Sequence, residues 1–173
     1  LSYYYQHIMN INNNFDLILN LRSDNYKNNY ENNVETTNSS DYSTTNSIDS
    51  ESFKETFNSA RIALKYKNIH LSITSNHKPG GFNQNPYVTN DYIEYLAEKT
   101  NTVELGFKNN NHNLSIDLNL FHMNRKDMQI DIADQADPSN PVTFYFYTIN
   151  IESGKNSGAD LLLNYKLNKR FNL

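Results

Sequence analysis

His70 and Ser72 stand two residues apart, so in an extended segment they share one face as a base and a nucleophile, the pair that a lipid hydrolase needs. Such chemistry also requires a group that orients the His and an oxyanion donor, and a His-x-Ser step supplies neither. Lys78-Pro79-Gly80-Gly81-Phe82-Asn83 has the glycines of a phosphate-cradling loop. No helical period follows it, however, and the cradle needs a helix amino terminus. The glycines fit a sharp turn instead. His7, His70, His77, His112 and His122 are scattered, and the string Asp127, Asp131, Asp134, Asp137 lacks the Gly and the bidentate Glu of an EF-hand. No catalytic residue, metal site or cofactor is expected.

The charged residues fall on the polar faces of alternating segments. Arg61, Glu104, Lys108, Asp117 and Asp160, with Arg22, occupy such positions. They could line a solute path or simply pair with one another along a wet wall. The apolar partners in these segments recur with period 2: Phe15, Leu17, Leu19 and Leu21; Ile62, Leu64 and Tyr66; Ile69, Leu71 and Ile73; Val103, Leu105 and Phe107; Leu114, Ile116, Leu118 and Leu120. That is the signature of strands with one apolar and one polar face. Ala159 to Leu167 repeats it, with Leu162 out of phase.

Connections alternate in length. Short polar links are expected at Ile11 to Asn14, Lys67-Asn68, Asn109 to Asn113 and Asn168 to Arg170, and long ones at Asn28 to Ser52, His77 to Lys99 and Asp131 to Val142. Short turns at one end and long loops at the other suit a transmembrane β-barrel better than a β-sandwich, which has no reason to alternate them. Tyr3-Tyr4-Tyr5, Tyr26, Tyr30, Phe57, Tyr66 and Phe144-Tyr145-Phe146-Tyr147 are expected near strand ends, as interfacial girdles.

Composition narrows the function classes. Hydrophobic residues are 37% of the 173, thin for a buried core, yet 13 Tyr and 9 Phe are too many for a chain that stays unfolded. Net charge is -4, without a basic cluster, so nucleic acid is a poor partner. Without Cys there are no disulfides and no thiol nucleophile. No apolar run reaches the roughly 18 residues of a membrane helix, a condition that leaves strands free to cross. The chain starts at Leu1 with no charged-then-apolar leader, which reads as a piece of a longer protein.

Four stretches resemble the barrel region of TonB-dependent receptors. Phe57 to Tyr66 followed by Lys78-Pro79-Gly80-Gly81-Phe82-Asn83 is similar to that family's strand and Lys-x-Gly-Gly-Phe-Asn loop. Glu98 to Lys108 resembles its Glu-x-x-x-x-x-Glu-x-Gly-x-Lys strand, Leu120 to Ile130 its strand ending Lys-Asp-Met-Gln, and Ile149 to Asp160 its Gly-Lys-x-x-x-Gly-x-Glu-Leu element. Asp160 stands where the family has Glu, and Ala97 where Pro is common.

The resemblance implies an all-β, antiparallel transmembrane barrel segment. Residues 1–173 would be part of a plugged barrel of about 22 strands, with short periplasmic turns and long extracellular loops. It implies a receptor in the outer membrane of a Gram-negative bacterium for TonB-dependent uptake of an iron-siderophore, vitamin or glycan, and no enzyme. Its partners would be the TonB complex through a plug absent from this sequence, a small-molecule ligand, and outer-membrane lipid. Lys78, Asn83, Tyr87 and Tyr92 are the loop residues expected to contact ligand. The alternatives are a barrel-borne lipid hydrolase using His70 and Ser72, and a small non-transporting barrel or adhesin.

Overall fold

A computed structural model describes residues 1–37, 40, 44–140, 142–168 and 171–172. The elements are β1 (Ser2–Asn12), β2 (Phe15–Thr37), β3 (Thr44–Tyr66), β4 (Ile69–Lys78), the short β5 (Gly81–Phe82) and β6 (Glu94–Tyr95), β7 (Glu98–Asn110), β8 (Leu114–Gln135), β9 (Phe144–Asn168) and β10 (Phe171–Asn172). A 3-10 turn, Asn90–Tyr92, lies between β5 and β6. Eight strands form one antiparallel sheet in the order β1-β2-β3-β4-β7-β8-β9-β10, and β5 pairs with β6 apart from it. Each long strand thus pairs with its neighbour along the chain, the up-and-down arrangement that minimal turns allow.

The register explains the alternation. One face carries rows that run across the sheet: Phe15, Tyr66, Ile69, Phe107, Leu118, Leu161; then Leu17, Leu64, Leu71, Leu105, Leu120, Ala159; then Leu19, Ile62, Ile73, Val103, His122, Ser157. Leu64, Leu71, Leu105 and Leu120 are all exposed. Higher up, the rows turn polar, through Ser75, Asn101, Asn124 and Lys155 to His77, Lys99, Lys126 and Ser153. From Phe107 to Asn101 the apolar face is six residues tall, about 20 Å along the strand. Phe15 meets Tyr66 at 6.2 Å along its lower margin, and Tyr3 and Tyr5 stand near the upper one, opposite Ser23 and Leu21.

The opposite face is polar. Its rows are Asp16, Lys65, His70, Gly106, Asn119, Asp160; Ile18, Ala63, Ser72, Glu104, Phe121, Gly158; and Asn20, Arg61, Thr74, Thr102, Met123, Asn156. Two glycines serve packing here. The His70 ring lies over Gly106, and a Cβ on Gly158 would sit 2.7 Å from the Phe121 ring. Glycine lets the cross-strand ring fold flat against the wall.

Among the described residues the buried apolar side chains are Phe57, Ala63 and Phe82 alone, while Ser72, Asn83, Glu98 and Gln129 are buried and polar. A sheet of this length with so small a core does not hide its apolar face in its own interior.

Three expected loops are shorter than the sequence suggested. The Asn28 to Ser52 link is mostly strand, with pairing unbroken from Asn28↔Phe53 to Thr37↔Thr44, and its tip lies partly outside the described residues. Polar Asn, Ser and Thr fail to mark a loop there because both faces are wet, so nothing selects for alternation, while the backbone ladder still forms. Likewise β8 runs on to Gln135, with Phe144 opposite it, which leaves a compact turn in place of the Asp131 to Val142 link. The His77 to Lys99 link loses His77 and Lys78 to β4, and Glu98 and Lys99 to β7. The short link at Lys67-Asn68 is as expected, while those expected at Asn109 to Asn113 and Ile11 to Asn14 shrink to Asn111 to Asn113 and Asn13-Asn14. Lys67 holds φ 51 in the two-residue turn that joins Tyr66 to Ile69. The Asn168 to Arg170 link lies partly outside the described residues.

Candidate functional site

Above the apolar rows, residues 79–97 fold back onto β8 and β9. Gly80 makes this possible: a Cβ there would lie 2.9 Å from the Ala97 backbone nitrogen and also collide with the Tyr95 carbonyl, and backbone atoms cannot swing aside. The segment is then held mainly by side chains that hydrogen-bond to backbone. Thr148 N–H donates to Asn83 Oδ1 at 2.8 Å, and Asn83 Nδ2 donates to the Thr148 and Tyr92 carbonyls, each at 2.7 Å. Leu96 N–H donates to Asn150 Oδ1 at 2.6 Å, and Asn150 Nδ2 donates back to the Leu96 carbonyl at 3.0 Å. Gln129 Nε2 donates to the carbonyls of Pro79 (2.8 Å) and Leu96 (2.9 Å).

An ion pair fixes the base of the segment. Arg125 donates from Nε and Nη2 to the two Glu98 oxygens at 2.5 and 2.8 Å, and Gln129 N–H donates to Glu98 Oε2 at 2.9 Å. Glu98 is 3% exposed. A bidentate guanidinium and a backbone N–H satisfy most of its acceptor capacity, which is what allows a carboxylate to be buried. The Arg125 hydrogen bonds hold the Glu98 carboxyl below its ordinary range, against the opposing effect of burial.

β8 departs from extended backbone geometry at one residue beside this segment. Asp127 has φ 52, and its carbonyl accepts from Asn150 Nδ2 at 2.7 Å. From 120 to 126 the even residues of β8 are the exposed ones, whereas at 130–133 the odd residues are. The alternation therefore changes phase around Asp127, and Tyr145 and Tyr147 of β9 come to share a side with the folded segment. Tyr87 meets Tyr145 at 5.8 Å between ring centroids, Tyr145 meets Tyr147 at 5.8 Å, and Tyr147 meets Tyr92 at 5.6 Å. The result is a run of four tyrosines. Tyr87 is 62% exposed and Tyr92 47%, so its outer surface is open. Tyr30 packs on Phe82 at 5.4 Å along the same segment.

The sheet is thus eight-stranded and up-and-down, with one apolar face, one polar face and a folded segment beyond the apolar rows. The family model described as TonB dependent receptor-like, beta-barrel matches residues 1–173. The chain belongs to that family. Solved structures agree on the fold. The ferric yersiniabactin uptake receptor of Yersinia pestis superposes with a TM-score of 0.71 at 16% identity, over 97% of this chain and 24% of that one. The copper transporter OprC gives 0.69 at 13% identity, over 97% and 27%. The hemophore receptor HasR of Serratia marcescens, solved with its hemophore and heme, gives 0.60 at 12% identity, over 95% and 31%. The chain spans about a quarter to a third of the length of these receptors. No curated protein sequence matches it.

Within this receptor sheet the residues singled out by sequence separate into two groups. Arg61, Glu104, Lys108, Asp117 and Asp160 all lie on the polar face. Lys108 pairs with Asp117 at 2.8 Å, half-exposed. Glu104 accepts from the buried Ser72 hydroxyl at 3.0 Å, and Asp160 lies opposite Asn119. Ser72 thus donates to Glu104 and not to His70, whose ring covers Gly106. Lys78, Asn83, Tyr87 and Tyr92 lie at the other site, on or beside the folded segment. Asn83 is 8% exposed with its amide committed to Thr148 and Tyr92, while Lys78 is exposed opposite Glu98.

Sequence reasoning missed Arg125, Gln129, Asn150, Tyr145 and Tyr147. Phe144 to Tyr147 had been expected in a girdle, but pairing at Asp134 and Ile132 places Tyr145 and Tyr147 far above the apolar rows. Tyr3 and Tyr66 stand at the margins of the apolar rows, whereas Phe57, expected with them, is buried. Arg125, Gln129 and Asn150 lie on β8 and β9, tens of residues along the chain from the Gly80-Gly81 step, so no local pattern marks them.

Proposed function

We propose that this chain is an arc of the wall of a TonB-dependent outer-membrane receptor that takes up a scarce solute such as an iron-siderophore, vitamin or glycan. Residues 1–173 would be one part of a larger plugged barrel, with energy supplied by the TonB complex through the plug. The observation that carries the reading is the pair of faces. The apolar rows centred on Leu64, Leu71, Leu105 and Leu120 suit lipid, and the rows through Arg61, Ser72, Glu104 and Asp160 suit a wet lumen, across an antiparallel sheet that joins tight turns below to longer connections above. That polarity suits a membrane on one side and water on the other. The similar receptor of Yersinia pestis is described as taking up ferric yersiniabactin, OprC as a copper transporter, and the Serratia marcescens receptor as bound to hemophore and heme. They support a metal-bearing solute.

In the proposed arrangement Lys78, Tyr87 and Tyr92 face incoming solute and Asn83 holds the segment that presents them. The polar face forms the path. On it Lys108 pairs with Asp117 and Glu104 is held by the Ser72 hydroxyl, so charges of both signs are interspersed along a wet wall.

The test is uptake by the complete gene product in paired hosts with and without TonB, using labelled ferric chelates, heme, copper, cobalamin and oligosaccharides. Accumulation of one solute in the TonB-bearing host alone is expected, with the protein in the outer-membrane fraction. Recovery in the soluble fraction, or TonB-independent accumulation, refutes the reading. In the same preparation Ser72→Ala addresses a lipid hydrolase: because Ser72 Oγ is buried against Glu104, no hydrolysis that depends on it is expected.

A further inference from the structure

The folded segment between β4 and β7 is built unlike a surface loop. Loops are usually held by their own turns and are free to move against the scaffold. Here two asparagines each take both the N–H and the C=O of a peptide on the opposite side. Asn83 does so to Thr148 of β9, and Asn150 of β9 does so to Leu96. Each amide reproduces the two hydrogen bonds that a neighbouring strand residue would make. The two clamps cross in opposite directions, one from segment to strand and one from strand to segment. They lie at opposite ends of residues 83–96, so the intervening stretch is pinned at both ends. Gln129 adds a bond to each flank of the segment, at Pro79 and Leu96. Glu98 and Arg125 fix the point where the chain re-enters the wall.

What lies between the clamps is the tyrosine run. Tyr87 and Tyr92 belong to the pinned stretch, and Tyr145 and Tyr147 to β9. The spacing of the four rings is therefore set by the clamps and by the phase change at Asp127, not by the rings themselves. Ring pairs at nearly 6 Å with half-exposed edges contribute about 1 kcal/mol each, too little to order the whole excursion from 83 to 96 against its conformational entropy.

We propose that residues 79–97 form a fixed partition across the wet side of the wall rather than a mobile lid, and that Asn83 and Asn150 are positioning residues that hold Tyr87 and Tyr92 against Tyr145 and Tyr147 as one continuous shelf. The role of the shelf in solute capture rests on the receptor reading above; the partition itself does not.

The experiment is a distance measurement between two spin labels in the complete receptor in detergent or lipid, without solute, at Thr89→Cys and Glu152→Cys. Both sites are exposed and this chain contributes no native Cys. A single narrow distance distribution is expected. With Asn83→Leu and Asn150→Leu together it should broaden by at least twofold in width. Asn83→Asp, which keeps the acceptor for Thr148 N–H and loses both donor bonds, should fall between. A general loss of folding is recognised by a control label pair on β3 and β7, at Lys65→Cys and Lys99→Cys, which should stay narrow in every variant. A broad distribution in the wild-type background overturns the proposal, and so does a narrow one that survives removal of both asparagines. If control and test pairs broaden together in the leucine variants, the wild-type and Asn83→Asp distributions decide. Failure of the uptake assay leaves this distance unchanged, so the two readings fail separately.

Discussion

Replacing Glu98 by Gln removes the anion from the base of the partition with little change of shape. Glu98 is 3% exposed and accepts from Arg125 at 2.5 and 2.8 Å and from Gln129 N–H at 2.9 Å. An amide oxygen in the Oε2 position can still accept from Arg125 Nη2 and Gln129 N–H, but its NH₂ then faces Arg125 Nε and the bidentate fork is lost. Breaking a buried pair costs about 3–5 kcal/mol when the remaining charge is fully buried. The Arg125 side chain is 32% exposed, so water recovers part of that, and about 2–3 kcal/mol is expected. The pH dependence has a definite sign. Because hydrogen bonds hold the folded carboxyl below its ordinary range, its contribution is full above the unfolded value and is lost as pH falls through the depressed one. Denaturant unfolding of the reconstituted receptor should show a wild-type advantage over E98Q that is flat at neutral pH and narrows in acid. A stability within about 0.5 kcal/mol of wild type at pH 7, or an advantage that grows on acidification, refutes the reasoning.

Three other substitutions probe the faces and turns. Leu105→Arg places a charge in the middle of the apolar rows and should cost about 2–4 kcal/mol in a bilayer, whereas Lys65→Leu on the wet face should change stability little; equal effects in reconstituted unfolding would contradict the assignment of faces. Gly158→Val drives a branched side chain into the Phe121 ring, 2.7 Å from where its Cβ would lie, and should cost about 1–3 kcal/mol, a loss that Phe121→Ala in the same chain should largely relieve in a double-mutant cycle. Lys67→Gly removes the strain of φ 51 in the Tyr66 to Ile69 turn and should stabilise by about 0.5–1 kcal/mol, read as a shift in unfolding midpoint.

How much could be read in advance differed by region. Where one face is apolar and the other polar, as from Phe15 to Leu21 and from Leu114 to Leu120, a slip of one residue would exchange the faces, so the pattern is strict and legible. Above the apolar rows both faces are wet and that constraint disappears. Asn28 to Thr37 then looks like a loop and folds as a strand. Tyr145 and Tyr147 look like girdle residues because aromatic type is shared by girdles and polar-mouth packing, and only their distance along β9 tells the two apart. Among the candidate ligand residues, Tyr87 and Tyr92 are exposed, while the Asn83 amide is spent on backbone, a distinction that Asn as a residue type does not carry.

By itself the sequence determined the strands where one face is apolar, their short turns and the two chemically distinct faces, because period-2 alternation and turn residues are local properties read within a few positions. The tertiary structure decided where residues 79–97 lie and which groups hold them. Glu98 finds Arg125 across 27 positions, and Asn83 finds Thr148 across 65. Such pairings depend on register summed over several hairpins and on a left-handed Asp127 that shifts the phase of β8, and no local pattern encodes that sum.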